Sequence, residues 1–224
     1  MQRILFLHGT GGVKKGFENI CSQSLARMIL EKSGPVGKEG FPFFVITPRA
    51  PVRVWSKSFD RLERLMESLS SKFPIDSQRL YLAGQSMGAN GVWEFAAANP
   101  KRFAAIAPVC GYIDKKPRRE SPRVEEITSI LRNQPTWVFH AANDALVDCQ
   151  HSDIIVEQLR AHGNSRVKYT KYEDAPGLPG FGDRGAGHAS YELAFKDPEL
   201  YKWLLGYSLS NKVGQDDWLN VEVG

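Results

Sequence analysis

Short apolar runs alternate with amphipathic segments along most of the chain. Six runs read as strands, at residues 3–8, 43–47, 79–84, 103–108, 136–140 and 166–172. Each is short and rich in aliphatic or aromatic side chains. Helical spacing appears at 17–32, 57–72, 87–99 and 147–162, and in a C-terminal pair at 190–195 and 198–205. In 57–72, Phe59, Leu62, Leu65, Met66 and Leu69 share one face at a 3.6-residue period. Strand–helix alternation of this kind predicts an α/β fold, with a mainly parallel sheet of about six strands flanked by helices. In such sheets ligands gather at the carboxyl ends of the strands.

Between the fourth and fifth strands, residues 111–134 carry a charged run and then a weak helical pattern over 124–131. They follow a strand and are expected to form a small cap. A Gly/Pro-rich loop at 176–187 follows the sixth strand, and loops of this length often serve function. Both segments are expected to wall the substrate pocket. With 224 residues, 42% hydrophobic and 24% charged, the chain suits one globular domain over 1–209. Residues 210–224 form a tail with no assigned role.

The net charge of +4 is too mild to argue for nucleic acid, and no apolar run approaches a membrane span. The apolar start runs straight into His8-Gly9 without a small-residue cleavage site, so it reads as a buried strand rather than a signal peptide. Three cysteines, Cys21, Cys110 and Cys149, are odd in number and lack metal-ligand spacing. Free thiols in a reducing cytosol are the simplest account, which points to a cytoplasmic protein with no metal.

The chemistry is concentrated in Gly84-Gln85-Ser86-Met87-Gly88. This G-x-S-x-G lies between a strand and a helix, the setting of a nucleophile elbow. Ser86 then projects its hydroxyl from the sheet beside a helix N-terminus whose free N–H groups face a developing oxyanion. An ordinary turn serine is the competing reading. A serine nucleophile needs a base, and the base needs an orienting acid. Asp144 follows the fifth strand and is the candidate acid; Asp148 and Asp153 are its rivals, and capping of the next helix is the bland alternative. His188 follows the Gly/Pro loop and is the candidate base. His140 sits in a strand as a core or strand-end residue, His8 ends the first strand, and His151 and His162 are expected to be exposed on one helix. The backbone N–H groups of Thr10, in His8-Gly9-Thr10-Gly11-Gly12, and of Met87 are the expected oxyanion donors. A phosphate-cradling loop is the rival reading of these glycines, but no G-K-[ST] or G-x-G-x-x-G frame accompanies them. Trp55, Tyr112 and Phe181 are aromatic candidates for the pocket, with core burial as the alternative.

These motifs resemble the α/β-hydrolase superfamily, and within it the small carboxylesterase, acyl-protein thioesterase and feruloyl-esterase-like ("predicted peptidase") groups. The likeness also rests on Thr47-Pro48-Arg49-Ala50-Pro51 followed by Trp55, on Ala107-Pro108-Val109-Cys110-Gly111, on Val138 to Asp144, and on Tyr201 to Leu205. The chain departs from the family pattern at His140-Ala141, where His-Gly is usual, and at Val147-Asp148, where V-P is frequent. The resemblance implies a Ser86–His188–Asp144 triad, no metal and no organic cofactor. The expected function is a serine hydrolase cleaving carboxylic esters or thioesters through an acyl-enzyme, with a small-molecule ester or acyl substrate as partner. A peptidase of the same fold and a non-catalytic binding protein on this scaffold are the alternatives.

Overall fold

The computed structural model describes residues 2–14 and 16–210; of the C-terminal tail only Ser210 falls among them. Six strands form one all-parallel sheet: β1 (Gln2–Leu7), β2 (Phe43–Ile46), β3 (Leu80–Gln85), β4 (Ala105–Val109), β5 (Thr136–Ala141) and β6 (Val167–Tyr172), in the order β2-β1-β3-β4-β5-β6. Among the described residues, eight α-helices connect or follow them: α1 (Phe17–Cys21), α2 (Ser24–Leu30), α3 (Phe59–Lys72), α4 (Met87–Ala98), α5 (Pro122–Ile130), α6 (Gln150–Ala161), α7 (Tyr191–Ala194) and α8 (Pro198–Leu205).

Side chains alternate between the faces of a strand, so one strand feeds two core layers. Along β1, Leu5 and Leu7 join one layer, while Ile4 and Phe6 join the other. Leu80 and Leu82 of β3 divide from Tyr81 and Ala83 in the same way. The first layer receives Leu62 and Met66 of α3, Val92 and Phe95 of α4, Val124 and Ile127 of α5, and Ile155 and Leu159 of α6. The second receives Leu25 and Met28 of α2, Ala194 of α7, and Leu200 and Leu204 of α8. Each sheet face is thus covered, which is what allows a parallel sheet of continuous apolar strands.

The expected helix over 17–32 is two helices. Gln23 is extended, with φ −83° and ψ 141°. The Ser22 hydroxyl and the Gln23 amide both turn back to the Asn19 carbonyl, giving the backbone a competing local arrangement. The break redirects α2 so that Leu25 and Met28 are buried. The helix expected from Val147 starts only at Gln150, because the Asp148 carboxylate accepts from the Gln150 N–H.

Two further expectations are corrected. Residues 111–134 form no cap over the strand ends. Val124, Ile127 and Leu131 of this segment join the first core layer, and α5 packs along α4 and α6. Arg119 and Arg123 pair with Glu157 and Glu94 and hold the segment down. His151 is buried rather than exposed, with its ring 5.7 Å from that of Tyr112.

The chain runs outward from β1 to β2 and then returns past β1 to β3. The strand order reverses there, and the loops after β1 and β3 diverge to leave a crevice at the carboxyl end of the sheet.

Candidate active site

Ser86 occupies that crevice, on the turn between β3 and α4. Its backbone has φ 53° and ψ −119°, a region that side chains other than glycine rarely adopt. The turn is fixed on both sides: the Ser86 N–H donates to the Val109 carbonyl (2.9 Å), and the Ser86 carbonyl accepts from Asn90 N–H (3.1 Å). Gly88 is required because β1 passes so close that a Cβ would overlap the Leu7 carbonyl. No side chain caps α4, so its first N–H groups, from Met87 onward, form an uncapped positive end beside the hydroxyl. The Met87 side chain itself is buried in the core.

Three side chains from distant parts of the chain form one hydrogen-bonded line. The Ser86 hydroxyl lies 2.9 Å from His188 Nε2. His188 Nδ1 lies 2.9 Å from Asp144 Oδ2 and 3.1 Å from Oδ1. An ionised carboxylate only accepts, so Nδ1 carries the proton and Nε2 is left to accept from the serine. Gly187, at φ 69°, brings His188 to this position; a Cβ there would overlap the backbone of Asn143. His188 and Asp144 are both buried.

Asp144 is held by more than His188. Its Oδ1 also accepts from the Leu146 and Val147 N–H groups, both at 2.9 Å. Capping of the local turn and orientation of the histidine are therefore done by the same carboxylate. Burial by itself raises the Asp144 pKa. Hydrogen bonds from His140 and His188, the His188 charge and the Val147 N–H outweigh it and hold the carboxyl well below its ordinary range. Because folding lowers this pKa, the ionised group contributes stability that is full above the unfolded value of about 3.9 and is lost as pH falls below it. Wild-type Tm is expected to drop more steeply than that of Asp144→Asn between about pH 5 and pH 2. Parallel Tm curves for the two proteins would contradict this.

His140 was visible in the sequence only as a strand histidine. Its ring is wholly buried. Nε2 faces two acceptors, the Val147 carbonyl at 2.9 Å and Asp144 Oδ2 at 3.2 Å, so Nε2 is the protonated nitrogen. Nδ1 accepts from the Ser152 hydroxyl at 2.7 Å. Nothing in the spacing of His140 and Asp144 distinguishes this pair from a chance one; the turn after β5 creates it. His140→Ala leaves a buried carbonyl and hydroxyl without partners and is expected to cost about 3 kcal/mol. The check is the shift in urea midpoint, with no shift as the contrary result.

The loop after β1 is anchored from below. His8 Nε2 accepts from Ala50 N–H (3.0 Å), and Nδ1 lies 2.6 Å from the Gly9 carbonyl. Burial lowers the His8 pKa and favours this neutral form. Trp55 packs on the His8 ring at 4.9 Å, and its indole N–H donates to the His8 carbonyl at 3.0 Å. Thr10 opens a 3-10 turn, Thr10–Val13, directly above this anchor.

A cleft of about 640 Å³ opens over Ser86 and His188, a size that suits a small or medium ligand. Thr10, Leu146, Leu178 and Phe181 are among its lining residues. Phe181 is half exposed. Trp55, at 0% exposure, is a core residue that supports the loop rather than a pocket residue. Tyr112 stands against His151 and is not part of the lining either. The rival acids are engaged elsewhere: Asp148 accepts from the Gln150 N–H in the turn before α6, and Asp153 binds Tyr169 and Lys171. Cys21, Cys110 and Cys149 are free thiols. Among the described residues, no cluster of three or more His, Cys, Asp or Glu has the arrangement to hold a metal ion. No helix among them is long and apolar enough to cross a membrane.

No family model matches the chain. A 75-residue stretch is 32% identical to S-formylglutathione hydrolase of Rattus norvegicus, covering 32% of this chain and 27% of that protein. The structure is similar to that of a thermostable esterase, with a TM-score of 0.71 and 26% identity over 92% of this chain. The chain spans about half (54%) of that esterase's length. It is also similar to a substrate-bound, fluorophosphonate-binding serine hydrolase from Staphylococcus aureus, with a TM-score of 0.63 and 15% identity over 92% of this chain and 84% of that one. With its all-parallel sheet, its strand–turn–helix at Ser86 and these structural similarities, the chain has the α/β-hydrolase fold.

Proposed function

We propose that the protein is a serine hydrolase that cleaves carboxylic esters or thioesters through an acyl-enzyme. The single observation that carries this reading is the continuous line from Ser86 through His188 to Asp144, begun by a serine at positive φ. His188 Nε2 takes the Ser86 proton as the hydroxyl oxygen attacks the substrate carbonyl. Asp144 holds Nδ1 protonated and stabilises the imidazolium. The oxyanion is received by the backbone N–H groups of Thr10 and Met87, each worth a few kcal/mol to the transition state. The tetrahedral intermediate collapses, and His188 returns the proton to the departing alcohol or thiol. A water molecule then repeats the sequence on the acyl-enzyme and frees the acid. The steps draw on side chains and backbone alone.

Similarity to a protein named S-formylglutathione hydrolase keeps thioesters beside oxygen esters. The test has two parts. An uncharged fluorophosphonate should label the protein covalently at Ser86, as read by mass spectrometry. A panel of p-nitrophenyl esters run beside acyl-thioesters and aminoacyl amides then ranks the substrate classes. Absence of labelling favours the binding-protein alternative, and amides turned over as fast as esters favour the peptidase.

A further inference from the structure

The cleft is electrically polarised along the sheet. Ser86, at the end of β3, stands in its middle. The cationic lining residues, Lys14, Arg27 and Arg53, all come from the segments after β1 and β2. The apolar lining residues Leu146, Leu178 and Phe181 come from the segments after β5 and β6, on the other side. Among the described residues, the lining contains one carboxylate, that of Glu192. It is committed to Arg27, whose Nη2 lies 2.6 Å from both of its oxygens, and Arg27 also pairs with Glu31. Lys14 and Arg53 are exposed and have no carboxylate partner among the described residues. Two positive charges therefore face the cleft unmatched.

We propose that the cleft selects esters or thioesters whose acyl half carries a carboxylate, seated toward Lys14 and Arg53. The leaving half then lies against Leu146, Leu178 and Phe181. This rests on the acyl-enzyme reading above. The direction follows from proton transfer. The leaving group must lie within reach of His188 Nε2, and His188 belongs to the same segment as Leu178 and Phe181. The acyl group is left on the opposite side of Ser86, where the cations are. Thr10, Ser22 and Gln23 line the same half and add polar partners for a carboxylate. Charges that are partly exposed act on encounter and orientation, and salt weakens them.

The test compares matched substrates. The 4-nitrophenyl monoester of adipic acid carries a terminal carboxylate, and its methyl ester is a neutral counterpart of the same acyl length. kcat/KM is expected to favour the acid by about tenfold at low salt, the scale of two modest charge pairs. The preference should shrink in 0.5 M salt and disappear in the double variant Lys14→Gln, Arg53→Gln. Taking the ratio within each protein cancels any change in folding or in serine reactivity. A second pair, 4-acetoxybenzoate and its methyl ester, puts the carboxylate in the leaving half and is expected to show no preference for the acid. Equal rates for the adipate pair, or an acid preference confined to the acetoxybenzoate pair, would overturn the proposal. Labelling of the wild type by an uncharged fluorophosphonate separates the two failures. Labelling without charge preference removes only this inference, whereas no labelling removes the hydrolase reading beneath it.

Discussion

Ser86→Ala is expected to reduce ester turnover roughly a million-fold while leaving the fold in place, on the scale of triad knockouts. The hydroxyl is small and partly buried at the floor of an open cleft, so its removal leaves no cavity in either core layer. The turn is held by backbone hydrogen bonds to Val109 and Asn90, which alanine retains. Some acceleration over water should remain, because the Thr10 and Met87 amides and the cleft are untouched. The measurements are kcat with a p-nitrophenyl ester and the thermal midpoint. An unchanged midpoint with lost turnover fits a nucleophile. Near-normal turnover would place the chemistry on another residue.

Asp144→Asn is expected to lower kcat about ten-thousand-fold, through the tautomer of His188 rather than through charge alone. An asparagine presenting its NH2 to Nδ1 makes Nδ1 an acceptor. The proton then moves to Nε2, where it blocks acceptance from Ser86. Two backbone N–H groups and two histidines converge on this carboxylate, so some stability is lost as well. Asp148→Asn is the control. That side chain is exposed and only accepts from the Gln150 N–H in the turn before α6, so its loss should be small. A large loss at Asp148 with a small one at Asp144 would move the acid by one turn.

Much of this site was legible before any coordinates. The inner strands β1, β3, β4 and β5 follow from short apolar runs, because a strand buried on both faces has no polar side to present, whereas the edge strand β6 exposes Lys168 and Lys171 and is only partly buried. The elbow follows from glycines at 84 and 88, which a close strand crossing demands. Asp144 follows from its position just after the fifth strand and His188 from its place at the end of the Gly/Pro loop that follows the sixth, since a parallel sheet brings all such loops to one edge. Local rules sufficed because each of these signals lies within a few residues of the position it concerns.

Tertiary structure decided the rest. Trp55 and Phe181 look alike as aromatic residues in loops. One is sealed under His8 and the other lines the cleft, a difference set by what packs on each. Residues 111–134 look like a cap, yet their apolar positions found a larger buried surface along α4 and α6. His140 meets Asp144 only because the chain turns back after β5. Ser24 reaches the Gln85 side chain across 61 residues. The charge polarity of the cleft has the same origin. In sequence, Lys14 and Arg53 are scattered cations in a chain of mild net charge. They share one side of Ser86 because β2 lies outside β1 and the chain then returns past β1 to β3. Periodicity sets which residues are buried in an element, but the order of strands sets which loops meet, and that order is chosen by the packing of the whole sheet.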